Sequence, residues 1–204
     1  PWVIVFAHRA MYSSNGEGDG HGSEIEFRDA MESLLFDYHV DLAIWGHDHH
    51  YERTYPVFEE QVYANNTGSY DDPYYLPGAP IHIVAGMAGR SLYDGFEEPQ
   101  PDWSAYRELS YGYTQFEVTK SGTLHYEFVR NSDGIVSDEF WIVQSLDYEP
   151  SGTIGYPGTG TNQTNETEEK DIVDKVTELD YANAPISILI VTIVAIFKSR
   201  LREV

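Results

Sequence analysis

Asp41-Leu42-Ala43-Ile44-Trp45-Gly46-His47-Asp48-His49-His50 is a short apolar run followed by one glycine and then by three histidines within four residues. The run has the length and continuity of a strand covered on both faces. Gly46 permits a tight turn at its end. In an extended segment residues i and i+2 point to the same side, so His47 and His49 can present both imidazoles to one metal ion or to two adjacent ones. Core or surface histidines produce the same His-x-His pattern, so the rest of the chain has to separate the readings.

Upstream, Trp2-Val3-Ile4-Val5-Phe6 is a second apolar run rich in β-branched residues, and Ala7-His8 follows it. A buried strand with nothing before it, and no initiator Met or signal-peptide pattern, implies that further sequence precedes Pro1 in a larger protein; an edge strand opening a small domain is the alternative. Ile25, Met31, Leu34, Leu35 and Tyr38 recur at helical spacing, which predicts a helix from about Glu24 to Tyr38. Ser23-Glu24-Ile25-Glu26 has the capping-box form. Strand, helix, strand makes a βαβ unit with parallel strands and a right-handed crossover. Ligands of open α/β sheets bind at the carboxyl ends of the strands. His8, His47 and His49 therefore fall where a site belongs, and imidazoles with carboxylates suit Zn, Fe or Mn.

Downstream the pattern changes. Glu59 to Pro80 is rich in Tyr, Asn, Gly, Asp and Pro and reads as a long loop. Strand-like runs follow at Ile81–Ala85, Tyr111–Val118, Thr123–Arg130 and Glu139–Gln144. Lys120-Ser121-Gly122 and Asn131-Ser132-Asp133-Gly134 supply hairpin chemistry between them. This half is expected to be an antiparallel sheet packed on the α/β part.

The 204 residues carry 12 Lys+Arg against 34 Asp+Glu, a net charge of −22. A field of that sign repels phosphate backbones, which argues against nucleic acid as a partner. An anionic substrate would need local positive charge, from a metal or a cationic cluster. With no cysteine, disulfide frameworks, Cys-ligated zinc, Fe–S clusters and Cys nucleophiles are excluded.

From Pro150 to Lys170 the chain is Gly/Thr/Asn/Glu-rich and too poor in large apolar side chains to order itself, as in a flexible, disordered linker or stalk. Asn65, Asn162 and Asn165 each begin an N-glycosylation triplet. Such triplets also arise by chance, but two in a stalk favour a lumenal or extracellular setting. Ile186–Phe197 is continuously apolar or small, and Lys198, Arg200 and Arg202 follow at once. Counted from Tyr181, about 17 residues would span about 25 Å of a hydrocarbon core of about 30 Å. The basic end then marks the cytoplasmic side of a single-pass anchor. A buried C-terminal helix is the alternative.

Val5-Phe6-Ala7-His8-Arg9 with Met11-Tyr12, and Gly46-His47-Asp48-His49-His50-Tyr51-Glu52-Arg53 with Pro56-Val57, resemble the last two metal motifs of the purple acid phosphatases, a family of binuclear metallophosphoesterases. The resemblance continues through Ile81–Gly89, Trp103–Arg107, Tyr111–Tyr113 and Asp138–Trp141, in the family's order. It covers roughly residues 1–143 and leaves out the stalk and the apolar tail.

The resemblance implies the C-terminal part of a metallophosphoesterase α/β sandwich with added antiparallel strands. Residues 1–78 would be catalytic domain, 79–148 the C-terminal segment, 149–180 the stalk and 181–204 a hydrophobic helical anchor. It implies that His8 and His47 bind the divalent metal and His49 the ferric ion of a centre of Fe plus Zn, Mn or Fe. It places His21 near a phosphate-contacting histidine, a solvated loop histidine being the alternative, and makes Arg53 a structural salt-bridge partner. The implied activity is hydrolysis of phosphate monoesters. Motifs that supply the family's bridging Asp, its Tyr and its Asn-His pair (Asp-x-Gly, Gly-Asp-x-x-Tyr, Gly-Asn-His) do not occur in this sequence, so it carries part of the site. A non-catalytic, membrane-tethered module that binds a metal or a partner, and a metallophosphodiesterase, are the competing readings.

Overall fold

The apolar runs at Trp2 and Leu42 form the parallel strands that their sequence demands. In the computed structural model, residues 2–16, 21–64, 66–93, 95–119, 122–144 and the backbone of 192–196 are described. Strand β1 (Trp2–Ala7) leads through helix α1 (Ile25–Asp37) to β2 (Leu42–Trp45), and Ile4–Ala7 pairs in parallel with Leu42–Trp45. Then come β3 (Tyr51–Phe58), β4 (Gln61–Val62), β5 (Tyr74–Tyr75) and β6 (Ile81–Ala85). They are followed by β7 (Ser104–Glu108), β8 (Gly112–Val118), β9 (Thr123–Arg130), β10 (Val136–Val143) and β11 (Thr192–Ile196).

The larger sheet runs β11-β1-β2-β6-β3-β4, with β7 on β3. β6 lies parallel to β2, so it joins the α/β sheet rather than the antiparallel half that its position in the chain suggested. Its Ile81, Ile83 and Val84 are all buried, as a central strand requires. The smaller sheet runs β5-β10-β9-β8 and is antiparallel except for the short β5 pairing. Leu124, Tyr126 and Phe128 of β9 and Phe140 and Ile142 of β10 form one core with Ile4, Leu42, Tyr51, Ile81 and Ile83 of the larger sheet. Tyr51 stacks on Phe128 at 4.2 Å across that core.

Two further expectations change. Helix α1 begins at Ile25 with Glu24 as N-cap, and no side chain caps it. Ser23 is engaged by the loop after β1 instead, accepting from Ser13 N and donating to Ser13 O. The long loop after Glu59 contains the two-residue strands β4 and β5. Within the run read as an apolar helix, Thr192–Ile196 is a strand antiparallel to Trp2–Phe6. β-branched residues favour that conformation, and the open edge of β1 offers it a ladder. The rest of the expected helix, the stalk and Asn65, Asn162 and Asn165 lie outside the described residues. Among the described residues no helix is long and apolar enough to cross a membrane.

Candidate metal centre

Three adjacent parallel strands, β1, β2 and β6, end on the same edge of the sheet, and the segments that follow each of them meet there. Among the described residues they are 8–16 with 21–23, 46–50, and 86–93 with 95–97. His8 Nε2 lies 2.9 Å from His47 Nδ1. His47 stacks on His21 at 5.0 Å, His21 meets the edge of Tyr93 at 4.5 Å, and Tyr93 stacks on His49 at 4.2 Å. The rings thus form a row, with His8 and His47 at one end and His49 at the other.

The turn after β2 is tighter than an extended His-x-His. His47 has a φ of 63°, in the left-handed region that non-glycine residues rarely enter. Asp48 N donates to Gly46 O at 2.8 Å and His50 N to Asp48 O at 2.9 Å, which coils the backbone through the motif. His47 is thereby directed to His8, while His49 donates from Nδ1 to Ser91 O at 2.9 Å. Backbone strain of this kind persists where the surroundings enforce it.

Asp48 provides much of that enforcement. It is fully buried, and its oxygens accept from Ser13 Oγ, from His21 Nδ1 at 3.0 Å and from Gly22 N at 3.0 Å. It is near enough to join His21 and His47 around one ion. With three donors already on it, it braces the loop and orients His21. Gly86 closes the other side: a Cβ there would stand 2.0 Å from Asp48 O, so only glycine lets the segment after β6 pass. Asp48, Ser91 and Tyr93 were not singled out from the sequence. Asp48 was visible as the middle residue of His-x-His, but nothing local marks Ser91 or Tyr93.

Behind the row lies a buried polar network. Glu52 accepts from Ser14 N at 2.7 Å and Ser104 Oγ at 2.6 Å, and pairs with His50 Nε2 at 3.3 Å. Burial opposes its charge, but hydrogen bonding and attraction from His50, with Ser104 and Ser14, outweigh burial and hold the carboxyl below its usual value. Arg53 forks onto Asp138 at 2.7 and 2.9 Å and donates to Tyr74 Oη at 3.0 Å, so it braces β3 against β10 as its motif position implied.

The donor chemistry fits a metal in part. Two imidazole nitrogens converge at His8 and His47, and His49, with Nδ1 committed to a carbonyl, keeps Nε2 for an ion. Imidazole suits zinc and iron. Among the described residues the carboxylate beside these histidines is Asp48, whose oxygens already accept from Ser13 Oγ, His21 Nδ1 and Gly22 N.

A family model described as iron/zinc purple acid phosphatase-like protein C matches residues 79–139. "Acid phosphatase type 7" of Danio rerio is 37% identical over 157 residues, covering 71% of this chain and 35% of that protein. "Probable inactive purple acid phosphatase 1" of Arabidopsis thaliana is 39% identical over 151 residues, covering 72% and 24%. The structure of purple acid phosphatase PPD1 from yellow lupin (Lupinus luteus) seeds superposes with a TM-score of 0.64 and 30% identity, over 76% of this chain and 28% of that one. The chain spans about a third or less of the length of these relatives. Motif order, fold and these matches together establish that the chain belongs to the purple acid phosphatase family, whose C-terminal portion it represents.

Proposed function

We propose that this chain forms part of the active site of a hydrolase acting on phosphate monoesters, with a binuclear centre of Fe plus Zn, Mn or Fe. The observation that carries the reading is the convergence of His8 Nε2 and His47 Nδ1 at the carboxyl ends of two adjacent parallel strands. His8 and His47 would hold the divalent ion, and His49 the ferric ion through Nε2. Such a centre, when bound, neutralises the phosphoryl charge and acidifies a water molecule. His21, held through Nδ1 by Asp48, has Nε2 available to contact the phosphate or pass a proton to the leaving oxygen.

The name of the Arabidopsis relative favours a second reading, a chain that binds metal without turnover. Calorimetry with zinc and an assay with 4-nitrophenyl phosphate and its bis-ester separate these readings. The expected result is zinc binding by this chain that is lost in His8→Ala and His47→Ala, and monoester turnover only in a longer chain carrying the missing carboxylate motifs. Absence of zinc binding would overturn the metal site. Turnover by this chain, abolished in His47→Ala, would overturn the claim that its ligand set is incomplete. Turnover of the bis-ester alone would favour the diesterase.

The same reading places the protein on the extracellular or lumenal side as a single-pass membrane protein. The sequence supports it through the Asn162 and Asn165 triplets in the stalk, the apolar run and the basic flank at Lys198, Arg200 and Arg202. Sensitivity of the intact protein to glycosidase, and its resistance to carbonate extraction, test that placement.

A further inference from the structure

We propose that Tyr93, acting with the carbonyl of Ser91, is the positioning residue for His49, fixing the orientation and the tautomer of its imidazole so that only Nε2 faces an incoming ion. The inference rests on the reading of His49 as a metal ligand and extends the site into the segment after β6, which no metal motif of the sequence includes.

Four observations converge. His49 Nδ1 is 2.9 Å from Ser91 O. A carbonyl only accepts, so Nδ1 carries a proton, and in the neutral ring the lone pair is then on Nε2. The Tyr93 ring lies on the His49 ring at 4.2 Å with 19° between planes, so rotating the imidazole would forfeit both the stack and the hydrogen bond. Tyr93 N also donates to His49 O at 3.2 Å, which ties the aromatic residue to the backbone of the residue it orients. At the other end of the segment, Gly86 N donates to His50 O at 3.3 Å, and the close approach of Gly86 to Asp48 O fixes where the segment crosses the motif. The segment is therefore pinned on both sides of His49.

Tyr93 also meets His21 at 4.5 Å, edge to face. One side chain thus sets the spacing between His49 and the histidine proposed to contact phosphate. Its flat ring does this work, so phenylalanine should replace it and leucine should not. Partners that orient a metal-bound histidine typically govern metal affinity by about 10- to 100-fold.

The test uses the full chain, first without metal. Histidine ¹⁵N spectra, with the His49 signals assigned through His49→Ala, are expected to show His49 as the Nδ1–H tautomer in the parent chain and in Tyr93→Phe. Tyr93→Leu is expected to shift it toward a mixture of tautomers. Zinc is then titrated alone while the His49 signals are followed. Tyr93→Phe should match the parent within about twofold, and Tyr93→Leu should need about tenfold more zinc or higher.

An Nδ1-deprotonated His49 in the parent chain would overturn the proposal, and that measurement needs no variant to fold. So would a Tyr93→Leu chain indistinguishable from the parent. A Tyr93→Phe chain that behaves like Tyr93→Leu would assign the role to the hydroxyl and overturn ring-based positioning. If the parent chain binds no zinc, the proposed metal function fails, while the metal-free tautomers still decide the role of Tyr93.

Discussion

The three donors on Asp48 come from Ser13, His21 and Gly22, all in the segment after β1, so this carboxylate joins two neighbouring loops of the site. Replacing it with alanine leaves those donors buried or half-buried with no acceptor, which costs about 1–3 kcal/mol for each unsatisfied group, part of it recovered by water. Asp48→Ala is expected to lower unfolding stability by about 3 kcal/mol in urea. It should also raise hydrogen exchange across residues 13–16 and 21–23 while β9 and β10 keep their protection. Equal loss of protection in the smaller sheet would show that Asp48 supports the whole core rather than the loop. Arg53 and Asp138 make a different kind of pair. Burial opposes charge on Arg53, but hydrogen bonding and attraction from Asp138 prevail and raise its pKa above the usual value. Removing one partner strands the other charge in the core, so Arg53→Met is expected to cost about 3–5 kcal/mol. Tyr51 Oη also donates to Asp138 at 2.7 Å, and it limits the damage without replacing the cation. A denaturation midpoint unchanged by Arg53→Met would refute the account.

At the scale of elements, what was legible in the sequence was what local pattern encodes. The continuous apolar runs of β1 and β2, the run of β6 broken only by His82, and the alternation of β9 identify themselves. β3 does not, because Tyr51-Glu52-Arg53-Thr54 places charged residues in the buried first half of the strand. Their partners, Ser104 and Asp138, lie 52 and 85 residues away, and no local signal announces them. The same limit applied to the site. His8, His47 and His49 follow from strand ends, whereas the stack on Tyr93 exists only once β6 lies beside β2. Alternation also misled, since His47 enters the left-handed region and the motif is not extended. The tail is the sharpest case, because Thr192–Ile196 satisfies two patterns at once. In water its backbone completes the edge of β1; in a bilayer the same apolar residues would satisfy their backbone as a helix. Deleting residues 186–204 is expected to raise hydrogen exchange in β1 and to promote aggregation through the bared edge. Phospholipid vesicles added to the intact chain should likewise expose β1 while protecting residues 186–197. Exchange in β1 that is indifferent to both treatments would remove the strand pairing from the solution structure.

For the whole molecule, two buried groups, Asp41 and His82, shift in opposite directions and bear on stability between about pH 4 and 7. Burial pushes the Asp41 carboxyl up to about 7, although Val3 N donates to it at 2.7 Å. Burial pushes His82 down to about 3, where its Nδ1 accepts from Trp45 Nε1 at 3.1 Å. For Asp41 the folded value lies above the unfolded one. The folded state therefore holds the proton longer, and stability falls as pH rises from about 4 to about 7. For His82 the folded value lies below the unfolded one. Its contribution is fully present above about 6.5 and is lost as pH falls toward about 3. Across the shared window of roughly 4 to 6.5 the two slopes, each near 1.4 kcal/mol per pH unit, run against one another and largely cancel. Asp41→Asn removes one of them while keeping an oxygen to accept from Val3; Gln144 Nε2, which donates to Asp41 Oδ1, then has to turn its amide so that its oxygen accepts from the new Nδ2. The variant is expected to be more stable than the parent at pH 8, on the order of 3 kcal/mol, and to lose that advantage by pH 4. Its own stability should then decline with acid through the His82 window, which the parent conceals. Urea unfolding at unit pH intervals from 4 to 8 measures both curves. An advantage of Asp41→Asn that stays constant from pH 8 to pH 4 would mean that Asp41 does not titrate in this window. The flatness of the parent would then come from the falling repulsion among its 34 acidic residues as they protonate, not from compensation inside the core.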